Sequence, residues 1–119
     1  MLPRASVTPT PPPPRYTGSA QARALVAGGK NRLATIFWYM STVGGGETNF
    51  PRAGGKPAPH NAADCSFGLS VAPEKGKVIL FYSMDGGGGL DYYSLHAGCP
   101  VLSGTKWAAN KWLWNKPQW

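Results

Sequence analysis

The sequence predicts a mainly β fold of the sandwich or jelly-roll type. The chain of 119 residues contains 16 Gly and 12 Pro, which favour many short strands joined by tight turns over long helices. Its longest apolar runs, LATIFWYM and KVILFYS, are short and rich in β-branched and aromatic residues, as is typical of buried strands. With 42% hydrophobic residues, the chain can also supply the core of one domain.

The first 28 residues differ in composition from the rest of the chain. They contain the run TPTPPPP and several basic side chains but no acidic one, which indicates a polyproline-like or disordered segment. Within them, SAQARALVA predicts one or two helical turns that end at Gly28. We therefore divide the chain into a low-complexity segment, residues 1–28, and a folded domain, residues 29–119.

The strands of the domain are predicted in chain order from Leu33 onward. LATIFWYM predicts a first buried strand, and ETNFPRAGGKPAPHNAADC predicts a long loop because of its Pro, Gly and Asn content. GLSV and KVILFYS predict two strands on either side of an APEKG turn, and the glycines of MDGGGGLD resist regular structure. YYSLHAG, PVL and TKWAANKWLW complete a set of about six or seven short strands.

Charge, hydropathy and cysteine content limit the classes of function. The formal net charge is +7, but the basic residues are scattered and form no Lys/Arg-rich block, so we do not expect nucleic-acid binding. No run of about 18 apolar residues predicts a membrane span, and the N-terminus lacks the apolar region of a secretory signal. Cys65 and Cys99 suffice for one disulfide, and the sequence leaves their redox state and the oligomeric state open.

The segment SLHAGCPVLSGTKW places His96 ten residues before Lys106 in a strand-rich region. Taken alone, such a histidine is more often a hydrogen-bonded structural residue, and such a lysine lies more often on a solvated face. Together they suit a non-haem Fe(II) oxygenase, in which two histidines and a carboxylate hold the metal. A 2-oxo acid that chelates the iron leaves its second carboxylate free to pair with a Lys or Arg. We therefore expect both side chains to face one cavity from neighbouring strands that the tight turn GCPVLSG joins.

Several motifs in one order make a specific family resemblance. NRLATIFWYMSTV, GGETNFP, GLSVAPEKGKVILFYS and LDYYSLHAGCPVLSGTKWAANKW resemble, in sequence and in order, the prolyl 4-hydroxylase type of Fe(II)/2-oxoglutarate dioxygenases, especially the plant and algal enzymes. The resemblance extends over residues 29–112. It implies a double-stranded β-helix (jelly-roll) core, here incomplete at its N-terminal side, as in the C-terminal portion of such an enzyme.

The resemblance also implies roles for individual residues. His96 resembles the distal iron ligand, and Lys106 the residue that pairs with the far carboxylate of 2-oxoglutarate. Thr48 resembles a position that lines the same co-substrate pocket, and Arg32 one near the peptide-binding groove. Trp107 resembles an aromatic wall of the substrate site, as does Trp112, although core packing is the ordinary explanation for both tryptophans.

The resemblance implies a reaction in which O₂ oxidises 2-oxoglutarate to succinate and CO₂, and the second oxygen atom hydroxylates a peptidyl proline. The resemblance implies Fe(II), 2-oxoglutarate and ascorbate as cofactors and a proline-rich peptide or protein as substrate. It also implies the endoplasmic reticulum and secretory pathway as location, where a bridge between Cys65 and Cys99 would persist, although two free thiols remain an equal alternative.

One part of the family pattern is missing. The family carries H-x-D on the strand before R-x-A-T, but no His, Asp or Glu precedes Glu47 here. One imidazole does not hold Fe(II) with useful affinity, because selectivity comes from the number and geometry of ligands. His60 with Asp64 is a poor replacement, since it lies in a Pro-rich loop at the wrong spacing. We therefore expect no catalysis, or very little, from this chain alone.

Two explanations of the missing motif remain open: loss of an N-terminal part, which the low-complexity start favours, or a pseudo-enzyme that kept the fold. Missing early strands would leave sheet edges unpaired and the core smaller, so we expect marginal stability or self-association. The alternative function is a non-catalytic module that binds proline-rich peptides through aromatic side chains. Its expected contacts are Tyr39, Tyr92, Tyr93 and Trp107, and the chain's own TPTPPPP run is one conceivable ligand.

Overall fold

A computed structural model of the chain describes residues 30–55, 57, 61 and 64–118, so the proposed segment 1–28 lies outside the described residues. The described part contains eight β-strands, two 3₁₀ turns and no α-helix, which confirms the mainly β prediction. The strands are β1 (Arg32–Tyr39), β2 (Gly44–Gly45), β3 (Thr48–Phe50), β4 (Leu69–Val71), β5 (Val78–Tyr82), β6 (Ala97–Gly98), β7 (Val101–Ser103) and β8 (Ala108–Trp114). The 3₁₀ turns span Ala53–Gly55 and Tyr92–Ser94.

The strands form antiparallel sheets, and most of the paired strands are not consecutive in the chain. One sheet has the order β5-β1-β8, a second has the order β4-β3-β6, and β2 pairs with β7. The longest strand, β1, is central in the first sheet, and β3, all of whose residues are buried, is central in the second. Hence the longest strand and the most buried strand are paired on both sides, while shorter or more exposed strands form the edges.

Alternation along β1 gives the first sheet two different faces. Thr35 pairs with Phe81 of β5 and Trp112 of β8, and these side chains project toward the second sheet. Ile36 pairs with Leu80 and Lys111 on the opposite, outer face. On this outer face Val78, Leu80 and Tyr82 are each more than half exposed. An apolar outer face of this kind supports the expectation of self-association.

The long loop predicted before Cys65 contains the central strand of the second sheet, so that prediction was wrong over Thr48–Phe50. Asn49 is completely buried there, and its Nδ2 donates to the carbonyl oxygen of Phe67 at 2.7 Å and to Oγ of Ser70 at 2.9 Å. These bonds satisfy the amide N–H groups that would otherwise make a buried Asn costly. Tertiary hydrogen bonding therefore overrides the low strand propensity of the segment.

The strand predicted over YYSLHAG is also wrong in its first half. Residues Tyr92–Ser94 form a 3₁₀ turn, because the carboxylate of Asp91 accepts a hydrogen bond from the backbone N–H of Tyr93 at 2.9 Å and caps it. Only Ala97–Gly98 pairs as a strand. In addition, the pairing of Gly44–Gly45 with β7 was not predicted.

Cys65 and Cys99 form a disulfide, which decides between the two redox states that the sequence left open. The bridge closes a loop with a sequence separation of 34 and ties the segment before β4 to the end of β6. Cys99 is buried, and its backbone N–H donates to the carbonyl oxygen of Glu47 at 2.8 Å. The disulfide therefore fixes the chain next to β3 and three residues from His96.

Across the described residues, no helix has the length and apolar character that a membrane crossing requires.

Candidate functional site

A cavity of about 340 Å³ lies between the two three-stranded sheets. Its volume falls within the range of about 300–1,000 Å³ that is usual for small-molecule sites. Its lining includes five of the six residues that the sequence singled out: Arg32, Thr48, His96, Lys106 and Trp112. Residues that are 74 positions apart in the chain thus meet at one site because β1, β3, β6 and β8 converge on it.

Lys106 supplies an ammonium group to the cavity wall. Its Nζ donates to the carbonyl oxygen of Gly46 at 2.6 Å and lies 5.8 Å from the ring centre of Phe37 and 5.7 Å from that of Tyr39. Desolvation lowers the pKa of Lys106, and the carboxylate of Glu47 opposes this shift only in part. The environment therefore penalises the charged form, and an anion in the cavity would relieve that penalty.

Gly46 allows the lysine side chain to pass close to the backbone. Its φ is +68°, a left-handed conformation that L side chains rarely adopt. A Cβ at this position would lie 3.2 Å from Cδ of Lys106 and 3.1 Å from Cγ2 of Val101. The glycines of GGGET thus have a local reason: they make the turn into β3 and leave room for the Lys106 stem.

Thr48 is buried in the cavity wall, and Tyr39 orients its hydroxyl group. The phenol of Tyr39 donates to Oγ1 of Thr48 at 2.6 Å and also lies 3.3 Å from the carbonyl oxygen of Val71. Once Oγ1 has accepted this bond, its own hydrogen is available for a ligand in the cavity. Thr48 can therefore act as a neutral donor beside the Lys106 ammonium.

His96 lies just before β6, with an exposed imidazole that packs against two aromatic rings of the cavity region. Its ring centre is 4.6 Å from that of Phe81 and 5.6 Å from that of Phe50. Nδ1 lies 2.8 Å from the carbonyl oxygen of Ser94, an acceptor, so Nδ1 carries the hydrogen. In the neutral ring Nε2 then keeps its lone pair, which is the arrangement that metal-binding histidines use.

Arg32 reaches the cavity because β1 is irregular at its start. The pairing of β1 with β8 shifts between Arg32 and Ala34, and such a bulge re-aims a side chain. The guanidinium carbon of Arg32 lies 3.7 Å from the ring centre of Trp112, which pairs with Thr35 on the inner face. Arg32 therefore stands over an aromatic ring of the cavity wall.

Trp107 is the predicted site residue that does not line this cavity. Its side chain is 66% exposed, so the explanation of Trp107 as a core residue is wrong. Its backbone is nevertheless well fixed, since Trp107 N donates to Oγ of Ser41 and its carbonyl oxygen accepts from Met40 N. Trp112, by contrast, does line the cavity, although it is partly exposed as well.

His96 and Lys106 do not lie on neighbouring strands of one sheet, as the sequence led us to expect. His96 precedes β6 in the sheet β4-β3-β6, whereas Lys106 precedes β8 in the sheet β5-β1-β8. The connection GCPVLSG is not a tight turn, because it contains strand β7, which pairs with β2. The two residues face one cavity from opposed sheets.

Sequence reasoning missed several residues of the cavity wall. Thr35, Phe37 and Asn110 line it, and Tyr39 supports Thr48 from behind. Strict alternation over RLATIFWY places Thr35, Phe37 and Tyr39 on one face of β1. This pattern was a usable signal, but it identifies the cavity face only when Thr48 is known to lie in the opposed strand β3. The proposed aromatic contact through Tyr39 is wrong, since only 1% of this residue is exposed.

A second cavity of about 270 Å³ adjoins the first, because Ser83 and His96 line both. The guanidinium of Arg52 forms part of its wall, 3.8 Å above the ring of Tyr92. The Nε of Arg52 is buried and has no hydrogen-bond partner among the described residues. A polar group in this state suits a carbonyl or carboxylate acceptor from a bound molecule.

Comparisons with known proteins agree with this arrangement. A model of the family described as the 2OG-Fe(II) oxygenase superfamily matches residues 21–114. The probable prolyl 4-hydroxylase 8 of Arabidopsis thaliana is 45% identical over 91 residues, which are 71% of this chain and 31% of that protein. The human prolyl 4-hydroxylase subunit alpha-1 is 42% identical over 89 residues, 74% of this chain and 14% of that subunit. The chain spans about a third of the plant relative.

A solved structure shares the fold as well. The 2OG complex of the viral collagen prolyl hydroxylase from Paramecium Bursaria Chlorella virus-1 superposes with a TM-score of 0.53 at 36% sequence identity. The match covers 70% of this chain and 40% of the viral chain. The antiparallel sheets described above therefore correspond to the jelly-roll fold of the oxygenases, as the sequence predicted.

The cavity fits the two family cofactors, 2-oxoglutarate and Fe(II), unequally. Lys106 and Thr48 provide a cation and a hydroxyl donor that suit one carboxylate of 2-oxoglutarate. For Fe(II) the fit fails, because His96 has no Asp or Glu beside it in the cavity wall. No group of three His, Cys, Asp or Glu able to hold a metal occurs among the described residues. The suggested replacement, His60, lies outside the described residues, and Asp64 instead accepts hydrogen bonds from Ser66.

Proposed function

This chain belongs to the 2OG-Fe(II) oxygenase superfamily, and from that premise we propose that it carries the 2-oxoglutarate-binding side of a prolyl 4-hydroxylase-like site for peptidyl proline. The observation that supports this most directly is the convergence of Lys106, Thr48 and His96 on one cavity. In this proposal the Lys106 ammonium and the Thr48 hydroxyl bind the far carboxylate of 2-oxoglutarate. The aromatic walls keep water away from that ion pair.

His96 is proposed as the single iron ligand that these residues contribute. Its Nδ1–H bond to the Ser94 carbonyl would fix the ring and leave Nε2 to bind the metal. Because the other ligands are absent from the described residues, we expect the 119-residue chain alone to show no turnover. Ascorbate, which the resemblance implies as a reductant, would matter only where iron is held.

The peptide substrate is proposed to enter over the second cavity. Arg52 and Tyr92 form its wall and His96 connects it to the first cavity, so a proline bound there would lie beside the imidazole. Aromatic rings such as Tyr92 and Tyr93, whose centres are 5.6 Å apart, suit the rigid surface of a polyproline helix. The same feature supports the second candidate function, proline-rich peptide binding without catalysis.

We also propose a secretory-pathway location for the protein. The support is the disulfide between Cys65 and Cys99, because such bonds persist in oxidising compartments and are rare in the cytosol. Fractionation of cells that produce the full-length protein, with alkylation to count free thiols, tests this. Recovery of the protein in the cytosol with both cysteines alkylated would contradict it.

Turnover is tested in two proteins. The 119-residue chain is incubated with Fe(II), 2-oxoglutarate and a polyproline peptide, and we expect no succinate. A chimera is then made in which residues 30–118 replace the matching part of the viral collagen prolyl hydroxylase. We expect this chimera to release succinate in a peptide-dependent way and to lose that activity in His96→Ala and Lys106→Met.

The outcomes separate the two candidate functions. A folded chimera that binds the peptide but never releases succinate would favour the non-catalytic module. Succinate release by the 119-residue chain alone, abolished by His96→Ala, would show that other ligands complete the iron site.

A further inference from the structure

The cavity is electropositive and has no acidic side chain in its wall. Arg32 and Lys106 both line it, together with the imidazole of His96, and no Asp or Glu does. An ion pair joins Lys77 to Glu74 and involves neither cavity cation. Glu47 acts on Lys106 from outside the cavity lining and offsets its desolvation only in part, so the two cations of the wall still favour an anionic ligand, and a dianion most.

The two cations contact different aromatic rings of the cavity wall. Lys106 Nζ lies 5.8 Å from the ring centre of Phe37, and the guanidinium of Arg32 lies 3.7 Å from that of Trp112. Trp112 pairs with Thr35, two positions before Phe37 on β1. Two residues of a strand span about 7 Å, which is comparable to the length of a short dicarboxylate. A ligand that spans the two rings would therefore lie beside both cations.

The described residues around His96 do not hold a metal ion that would bind the second carboxylate of the ligand. A dicarboxylate in a complete oxygenase site has iron at one end, but here His96 stands without further ligands in the described residues. Arg32 offers the remaining end of the cavity a planar guanidinium, which binds carboxylates through two parallel hydrogen bonds. The residue that the resemblance placed near the peptide groove is thus available to the co-substrate.

We propose that the cavity of this chain binds a five-carbon dicarboxylate without a metal ion, one carboxylate on Lys106 and Thr48 and the other on Arg32. The Lys106 end rests on the proposed function, whereas the Arg32 end and the independence from metal go beyond it. A metal-free site has no use for the 2-oxo group as a chelator. Glutarate therefore binds as well as 2-oxoglutarate, and ferrous ion adds nothing.

The test is a calorimetric titration of the 119-residue chain, in buffer with EDTA, using ligands that differ in their 2-oxo group and in their number of carboxylates. Glutarate and 2-oxoglutarate are expected to bind within about threefold of each other, whereas pentanoate, which lacks the second carboxylate, binds at least about tenfold more weakly. The 2-oxoglutarate titration is repeated with Mn²⁺ instead of EDTA, because Mn²⁺ replaces Fe(II) without oxidation. We expect the same affinity in both conditions.

Variants assign the two ends of the ligand. Arg32→Gln and Lys106→Met should each weaken glutarate binding by about tenfold or more, since a charge-assisted hydrogen bond is lost. Lys111→Met is the matched control: it removes one positive charge from the same strand as Trp112, but on the outer face opposite Ile36. We expect it to leave the affinity unchanged. Circular dichroism verifies that each variant is folded, and the ligand series on the unaltered chain stands even if a variant does not fold.

Three results would overturn the proposal, and they are distinct. Binding of 2-oxoglutarate only with Mn²⁺, with no binding of glutarate, would refute metal independence and leave the proposed function intact. Pentanoate as strong as glutarate, or full affinity in Arg32→Gln, would remove Arg32 as the second anchor. A folded chain that binds no dicarboxylate in either condition would contradict the proposed function too.

Discussion

The phenol of Tyr39 donates a hydrogen bond of 2.6 Å to Oγ1 of Thr48, and both side chains are buried. This bond joins the two sheets, since Tyr39 ends β1 and Thr48 begins β3. It also determines which way the threonine hydroxyl can donate. The structural core and the proposed ligand site therefore share one hydrogen bond, and a substitution there should affect both stability and binding.

Tyr39→Phe removes this donor while keeping the ring. We expect the free energy of unfolding to fall by about 1 kcal/mol and the affinity for 2-oxoglutarate to fall by about two- to tenfold, because the Thr48 hydroxyl loses its orientation. Denaturant unfolding and calorimetry measure the two effects. Tyr82→Phe, which alters an exposed tyrosine on the outer face, is the control. Unchanged stability and affinity in Tyr39→Phe would show that the bond is unimportant.

Gly46→Ala tests the close approach of the Lys106 stem. The left-handed conformation destabilises an alanine by about 1–2 kcal/mol, and the added Cβ must also displace Lys106 or Val101. Gly88→Ala has the same conformational strain without the steric clash, because Gly88 has a φ of +83° but no atom lies within 4 Å of an added Cβ. We therefore expect both variants to lose stability, but only Gly46→Ala to bind 2-oxoglutarate more weakly. Equal binding in the two variants would contradict the assigned position of Lys106.

Part of the site could be predicted from the sequence, and part of the fold could not. The pairing of His96 with Lys106 was predicted from residue types and Thr48 in GGET from the family resemblance, and the structure brings all three to the cavity. The strand β3 was missed because Asn49 is buried through hydrogen bonds to residues about twenty positions away, which local propensity does not register. Arg32 reached the cavity through a bulge, a feature that periodicity does not predict.

The pH dependence of binding follows from the pKa of Lys106, which desolvation lowers from its ordinary value of 10.5. Between the lowered pKa and 10.5, the unfolded chain holds more protons than the folded chain, so this group makes stability rise with pH. Anion binding needs the protonated form, so affinity falls with pH over the same window. Lys106→Met should abolish both trends and Lys111→Met neither. Constant affinity up to pH 10.5 would contradict the lowered pKa.

The Cys65–Cys99 disulfide should stabilise the domain strongly for its size. A bridge that closes a loop with a sequence separation of 34 is expected to contribute about 3–4 kcal/mol through the entropy of the unfolded chain. Reduction, or the paired change Cys65→Ser with Cys99→Ser, should therefore lower the denaturation midpoint markedly. Because Cys99 N–H donates to the carbonyl oxygen of Glu47, the residue before Thr48, we expect 2-oxoglutarate affinity to fall as well. Identical midpoints with and without reductant would contradict the contribution.

The apolar outer face of the sheet β5-β1-β8 should make the isolated chain self-associate. Val78, Leu80 and Tyr82 are more than half exposed on this face beside the partly exposed Trp38, and contiguous apolar surface of this kind drives association. Leu80→Lys places a charge between Val78 and Tyr82 and should shift the chain toward monomer in sedimentation velocity. Leu102→Lys makes the same chemical change at a leucine that is 82% exposed on β7, away from this face. Because both variants gain one positive charge, a difference between them reports the apolar face and not net charge. Equal association in the two variants would show that another surface holds the copies together.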